Sequence, residues 1–251
     1  MLTVQVACSV LCRCFGRNVF AGCFLLETND YNSPEFQQDI YVGNVLYPVR
    51  VLGPGQRIGI WLVGCSRGCK GCVSPEFSRR ESRFRMPVSQ LLSYISDLTE
   101  GRTVDGITIS GGEPFEQPEA LRVLLPELEK ITPDILIYTG FLKSRLESSG
   151  YGDILSKTGV LIDGPYVEER NTGVFLRGSD NQNIYILKPE LKELYAEYMK
   201  DGTNRLQLFR TSTGFVSVGI VRRGFTDELG KHLFKNGVNL SSGGRKDEDL
   251  N

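Results

Sequence analysis

Between residues 58 and 187, short apolar runs typical of strands alternate with segments whose apolar residues recur at helical spacing. The strand-like runs are residues 58–63, 106–109, 135–138, 160–162 and 183–187. Helical spacing appears at residues 87–98, 118–130 and 141–148. Since a helix between two strands usually carries the chain back to start a parallel neighbour, this order predicts an α/β fold with a parallel sheet, open or barrel-like.

The flanking segments differ from this regular part. After residue 187 the pattern predicts a helix over 191–198, a hairpin of strands 205–210 and 215–221, and a helix over 226–235. We therefore predict four parts, which are a cysteine-rich extension (1–40), the main α/β domain (41–188), a small α/β appendage (189–240) and a flexible tail (241–251). A chain of 251 residues is long enough for one large domain with such an appendage.

Small and polar residues follow four of the predicted strands. They are Gly64-Cys65, Ser110-Gly111-Gly112-Glu113, Thr139-Gly140 and Asp163-Gly164. Ligands of parallel α/β proteins bind at the carboxyl ends of the strands, so these junctions predict a site at that edge. One glycine alone would be explained by a tight turn, but four junctions, one of which opens onto cysteines, favour a site.

Cys65, Cys69 and Cys72 form a Cys-x-x-x-Cys-x-x-Cys motif. Closely spaced thiolates of this kind hold iron–sulfur clusters, and a cluster with three cysteine ligands leaves one iron open to a small molecule. Zinc with a distant fourth ligand, or three unliganded thiols, are the alternatives. The spacing favours the iron–sulfur interpretation.

Composition excludes several classes of protein. The 29 Lys and Arg residues against 30 Asp and Glu give no basic surplus for a polyanion, so nucleic acid is not an expected partner. Seven cysteines, none after Cys72, indicate reduced thiols or metal ligands in a cytoplasmic protein. The sequence contains no apolar run of eighteen residues, so no membrane span is predicted. Three interpretations of the N-terminal cysteines stay open: ligands of an auxiliary cluster, buried thiols, or part of a leader segment. These cysteines are Cys8, Cys12, Cys14 and Cys23.

The cysteine motif followed by Ser110-Gly111-Gly112-Glu113-Pro114 resembles the radical S-adenosylmethionine (SAM) superfamily. Residues 53–57, 138–140, 161–166 and 177–182 are similar to motifs of its glycyl-radical-enzyme activases, in particular the reductase activases. The resemblance covers about residues 44–187. It implies a partial (β/α)6 TIM-like barrel of the radical SAM type, to which the small C-terminal α/β appendage is added.

The resemblance also implies a set of site residues. Cys65, Cys69 and Cys72 would ligate a 4Fe-4S cluster whose open iron takes the amino and carboxylate groups of SAM. The remaining candidates are Gly111, Gly112 and Glu113 beside the methionyl amino group, Thr139 and Asp163 beside the methionyl or ribose part, and Gly71 and Val73 beside the adenine. A bulky side chain at position 112 is expected to block SAM binding and to spare the cluster.

The function implied is a radical SAM oxidoreductase that cleaves SAM to a 5′-deoxyadenosyl radical and activates a glycyl radical enzyme. The expected partners are an anaerobic ribonucleotide reductase and a flavodoxin- or ferredoxin-type electron donor, with no membrane. Two alternatives stay open, a radical SAM enzyme that modifies a peptide, small molecule or RNA directly, and a non-catalytic iron–sulfur protein. The basic run from Arg79 to Arg85 is compatible with RNA, although a solvated or protein-docking rim is favoured.

Overall fold

The computed structural model describes residue 31, residues 33–211 and residues 215–235, without the side chains of residues 226, 227, 233 and 234. The predictions for the four N-terminal cysteines, for the hairpin turn at 212–214 and for the tail at 241–251 therefore lie outside the described residues. Within the described part, no helix has the length and apolar character that crossing a bilayer requires.

Seven strands form the main sheet. They are β1 (Asp39–Val49), β2 (Arg57–Leu62), β3 (Arg85–Pro87), β4 (Gly106–Gly111), β5 (Ile135–Tyr138), β6 (Val160–Asp163) and β7 (Asn183–Ile186). Their spatial order is β3-β1-β2-β4-β5-β6-β7. The pairs β2–β4, β4–β5 and β5–β6 are parallel, which confirms the predicted α/β class. The carboxyl ends of β2, β4, β5 and β6 consequently meet at one edge.

The outer strands depart from the expected parallel series. β1 runs antiparallel to β2 and to β3, and β7 runs antiparallel to β6. The expectation that residues 183–187 continue the parallel series is wrong, because the link from β6 to β7 contains only the short 3-10 helix Glu168–Arg170. A parallel return needs a longer crossover, usually an α-helix, whereas this link lets the strand turn back beside its neighbour.

Four helices follow the strands of the parallel core. They are α1 (Val88–Thr99), α2 (Pro118–Ile131), α3 (Lys143–Ser148) and α4 (Gly152–Lys157). The pattern predicts the first three, whereas α4 is a further turn of helix before β6. Alternate strand residues such as Ile58, Ile60 and Leu62 join these helices in one large apolar core. Helices thus cover one face of the sheet.

The C-terminal part covers the second face. It contains α5 (Lys192–Asp201), the antiparallel pair of β8 (Leu206–Arg210) and β9 (Phe215–Gly219), and α6 (Phe225–Lys235). Val216 and Val218 of β9 share an apolar cluster with Trp61 and Val63. The side chain of Gln207 accepts a 2.8 Å hydrogen bond from the Arg50 amide and donates one of 2.7 Å to the Pro48 carbonyl. The predicted hairpin is therefore confirmed, and it packs directly on the sheet.

A buried ion pair joins the amino-terminal ends of the strands to α5. Arg57, fully buried, donates to both carboxylate oxygens of Asp134 at 2.6 and 3.1 Å. The Arg57 Nε donates to Thr108 Oγ1 at 2.7 Å, and the Tyr195 hydroxyl donates to Asp134 Oδ1 at the same distance. Since a buried charge needs a charged partner and further hydrogen bonds, this group of residues fixes the end of the sheet that lies opposite the strand-end junctions.

Candidate active site

The three motif cysteines lie on a loop that is closed at its base by strand-like pairing. The amide of Gly64 donates to the Phe77 carbonyl at 2.7 Å, and the amide of Cys65 donates to the Ser78 carbonyl at 2.9 Å. The carbonyl of Gly64 accepts a 2.8 Å hydrogen bond from the Glu113 amide. The loop of residues 65–78 is therefore attached both to its own return segment and to the residues that follow β4.

All three cysteines carry free thiols. Cys65 and Cys69 are half-buried, whereas Cys72 is exposed. Desolvation of the sulfur atom, which for Cys72 occurs although the residue as a whole is exposed, raises the pKa of Cys65 and of Cys72, and nearby acidic side chains act in the same direction. Across the described residues, no three Cys, His, Asp or Glu side chains are arranged so that they could hold a metal ion as they stand.

One cavity of about 730 Å³ opens beside this loop at the carboxyl edge of the sheet. Its volume lies in the range of sites for small molecules. Eight of the ten residues predicted for the site line it: Cys65, Cys69, Cys72, Val73, Gly111, Gly112, Glu113 and Thr139. Three separate stretches of sequence thus meet at one cavity, and its thiols are the soft ligands that iron–sulfur clusters require. The residues present fit a cluster with a bound small molecule.

Gly111, the last residue of β4, and Gly112, which follows it, are both required by the protein's own backbone. Gly111 has φ +104°, and a Cβ there would lie 2.3 Å from the Leu62 carbonyl oxygen. A Cβ at Gly112 would lie 2.4 Å from the Gly64 carbonyl oxygen and 2.8 Å from that of Phe77. Because both clashes at position 112 involve the base of the cysteine loop, a side chain there would disturb the loop as well as the cavity. This revises the expectation that such a change would spare the cluster.

Glu113 is a buried carboxylate held between two strand ends. Its Oε1 accepts hydrogen bonds from the Thr139 hydroxyl at 2.7 Å and from the Phe115 amide at 3.1 Å. Its Oε2 accepts one of 2.8 Å from the Gly140 amide. Burial raises the pKa of Glu113, and these hydrogen bonds together with the charge of Arg67 partly oppose the increase. A carboxylate oxygen has two acceptor positions, so Oε2 keeps one for a ligand.

Asp163 and Gly71 lie outside the cavity lining. Both oxygens of Asp163 are engaged, since Oδ2 accepts from the Lys143 amide at 2.6 Å and Oδ1 from the Asn183 side chain at 3.0 Å. Gly71 has φ +67°, and a Cβ there would lie 2.7 Å from the Glu168 carboxylate. Their predicted contacts with SAM stay predictions.

The cavity also contains residues that sequence reasoning did not select. Arg67, Tyr138, Tyr166, Gln182 and Ile220 all contribute to its wall. Arg67 stands between the first two cysteines, and Tyr138, Tyr166 and Gln182 lie within segments that carry the family resemblance, so position in or beside the motifs was a usable signal for these four. Ile220 comes from the C-terminal appendage, and only the packing of the hairpin on the sheet brings it here.

Comparison with known families assigns residues 51–185, more than half of the chain, to a family described as a 4Fe-4S single cluster domain. This segment contains the cysteine loop and the strand ends that form most of the cavity.

Curated relatives support the same grouping. The anaerobic ribonucleoside-triphosphate reductase-activating protein of Vibrio cholerae is 31% identical over 147 residues, which are 55% of this chain and 94% of the relative. The proteins of the same name from Escherichia coli and from Enterobacteria phage T4 are 29% and 30% identical. These two alignments cover 57% and 56% of this chain, and 96% and 90% of the respective relatives.

Among solved structures, QueE from Escherichia coli aligns at a TM-score of 0.37 and 20% identity, over 51% of this chain and 73% of that one. The sequence matches carry the assignment. They show that the chain belongs to the 4Fe-4S single cluster domain family and is related to the anaerobic ribonucleoside-triphosphate reductase-activating proteins.

Proposed function

We propose that this protein reductively cleaves SAM and installs a glycyl radical on an anaerobic ribonucleotide reductase. One observation carries the proposal, namely that the three cysteines and the Gly111-Gly112-Glu113 segment line the same cavity. An iron–sulfur protein that only transfers electrons has no need of such a cavity. The names of the curated relatives supply the partner.

Cys65, Cys69 and Cys72 are proposed to hold the cluster. Their thiols lie along one loop, and Gly68 and Gly71 in this loop both have positive φ. Binding requires the thiols to lose their protons and to converge, so loading is expected to release protons and to order residues 65–78. When bound, the cluster supplies the electron that splits SAM into methionine and the 5′-deoxyadenosyl radical, which takes a hydrogen atom from the substrate.

The residues after β4 and β5 are proposed to orient SAM. The free acceptor position on Glu113 Oε2 suits the methionyl ammonium, and Gly111 and Gly112 allow close approach to the backbone. Thr139 acts by holding Glu113 Oε1, as its hydroxyl is already used there. Val73, 41% exposed beside the third cysteine, is proposed to contact the adenine with Gly71, and Asp163 to order the adjacent strand end or contact the ribose.

Several broader features belong to the same proposal. The parallel core is proposed to curve into a partial (β/α)6 barrel, with domain limits at 41–188 and 189–240. A flavodoxin- or ferredoxin-type protein is the proposed electron donor, because the cluster has to be reduced. The proposed setting is the cytoplasm at low oxygen, since a cluster with an open iron is readily oxidised.

Direct modification of a peptide or small molecule is a second candidate, and one observation favours it. Gly219 and Ile220 line the cavity although they lie beyond the segment shared with the family. The aligned region already makes up 94% of the Vibrio cholerae relative, so that protein has little chain left for a comparable appendage. Part of the cavity wall in the present protein is therefore formed by residues for which that relative has no counterpart in the aligned region.

Electron paramagnetic resonance distinguishes the two candidates. The reduced, cluster-loaded protein is mixed with SAM and an anaerobic ribonucleotide reductase, and the formation of 5′-deoxyadenosine is measured in parallel. A glycyl radical doublet on the reductase supports the activase. Rapid release of 5′-deoxyadenosine without that doublet rejects this partner and favours direct modification of another substrate. A reductase whose radical glycine is replaced by alanine is the matched control.

A further inference from the structure

Arg67 brings an unpaired positive charge to the cavity. It is a lining residue, and its Nε is buried without a hydrogen-bond partner. Among the described residues, no carboxylate lies within salt-bridge distance of its guanidinium. A buried donor without a partner costs about 1–3 kcal/mol, which a ligand that accepts its hydrogen bond would recover.

The position of this guanidinium is defined by the end of β5. Its central carbon lies 5.0 Å from the centroid of the Phe141 ring, and Arg145 stacks on the same ring at 4.8 Å. A Cβ on Gly140 would come within 2.2 Å of Arg67 Nε, so the side chain lies directly against the backbone of that glycine. Stacking and close packing hold the guanidinium plane beside the residue after Thr139.

Glu113 contacts the same residue, Gly140. Its Oε2 accepts the 2.8 Å hydrogen bond from the Gly140 amide, and the charge of Arg67 is close enough to stabilise the carboxylate. The cavity therefore presents a cation and an anion that both lie against Gly140. A ligand end that carries an ammonium and a carboxylate on one carbon has the matching pair of charges.

We propose that Arg67 binds the carboxylate of the methionyl group of SAM, while Glu113 receives its ammonium. The inference rests on the proposed SAM site. It adds a residue that distinguishes sulfonium ligands with an amino acid carboxylate, such as SAM, from sulfonium ligands that lack this carboxylate. Arginine suits this role because its planar guanidinium can donate two parallel hydrogen bonds to a carboxylate.

Binding measurements test the assignment without turnover. Oxidised, cluster-loaded wild-type protein and Arg67→Gln are titrated with SAM and with decarboxylated SAM by calorimetry, after iron content has been matched. We expect Arg67→Gln to weaken SAM binding by about tenfold or more, the loss of a charge-assisted hydrogen bond, and to leave decarboxylated SAM within about twofold. Arg67→Lys should recover part of the preference. Arg145→Gln, on the same ring but outside the lining, should bind both ligands as the wild type does.

The outcomes separate this inference from the proposed function. Equal weakening of both ligands in Arg67→Gln would show that Arg67 only shapes the cavity, and unchanged affinity for SAM would show that it takes no part in binding. Either result overturns the inference and leaves the SAM site standing. Failure of the iron-loaded wild type to bind SAM would overturn the proposed function and the inference with it.

Discussion

The hydroxyl of Thr139 donates a 2.7 Å hydrogen bond to Oε1 of Glu113, and so joins the carboxyl ends of β5 and β4 inside the protein. The carboxylate that the proposed site needs is therefore placed by the neighbouring strand.

The first prediction is the pH dependence of stability. Burial raises the pKa of Glu113, so the folded protein binds this proton more tightly than the unfolded chain does. The contribution of Glu113 to the free energy of unfolding is greatest at a pH below the ordinary glutamate pKa of about 4.3. This contribution is lost as the pH rises through the raised pKa of the folded protein. We expect this part of the pH dependence of the free energy of unfolding to vanish in Glu113→Gln, as measured by urea unfolding at a series of pH values. An unchanged slope would mean that Glu113 titrates normally.

Thr139→Val removes the hydroxyl and keeps the shape of the side chain. Glu113 then loses one of its stabilising donors, so we expect the free energy of unfolding at neutral pH to fall by about 1–3 kcal/mol. The pH at which stability is lost should also move further up. Thr99→Val is the control, because Thr99 bonds only to carbonyls of its own helix, and a change within about 0.5 kcal/mol is expected there.

Single replacement of Cys65, Cys69 or Cys72 by alanine should abolish iron and sulfide loading, because two thiolates cannot hold a cubane. The measurement is chemical analysis of iron and sulfide after anaerobic reconstitution, together with circular dichroism to confirm folding. Cys12→Ala should load normally. Full loading in the triple alanine variant would refute the assignment of the cysteine loop.

Gly112→Ala should lower both iron loading and SAM affinity. The added Cβ would meet two carbonyl oxygens at the base of the cysteine loop, and backbone cannot move aside as a side chain can. Gly152→Ala is the matched control, since a Cβ at that position meets nothing within 4 Å. Normal iron content with lost SAM binding in Gly112→Ala would show that the loop tolerates the change and that the ligand alone needs the space.

Asp134→Ala should destabilise the protein by about 3–5 kcal/mol, because the charge of Arg57 would be left buried without its partner. Arg122→Ala removes surface ion pairs with Glu119 and Asp153, and it should cost within about 1 kcal/mol. Guanidinium unfolding of both variants provides the comparison. Similar losses in the two variants would show that the buried network has no special weight.

The sequence predicts the parallel core well because its strands are buried on both faces. Such strands are continuous apolar runs, and each one ends at a glycine or polar junction that is easily recognised. The same reasoning locates the site, since the ends of parallel strands must lie together. The antiparallel return of β7 depends instead on the absence of an α-helix between residues 164 and 182, a region whose turns carry little periodic signal.

Contacts between distant segments account for what the sequence does not reveal. The roles of Gly111 and Gly112 look like ligand clearance in the sequence, but the carbonyl groups they approach belong to residues 62, 64 and 77. Asp163 stands at a strand end like the other candidates, yet its oxygens are taken by residues 143 and 183. Neither fact follows from residue type or spacing.

The hairpin of β8 and β9 limits where this chain can be cut without loss of its core. The segment matched to the family, residues 51–185, ends before the strands that shield Trp61 and complete the cavity wall. A fragment cut at those limits would expose Trp61 and Val63 to water, at about 1.5–3 kcal/mol for each large apolar side chain. The segment that can be moved into another protein as a folded unit is therefore longer than the segment matched to the family. It has to include the hairpin that covers this face of the sheet.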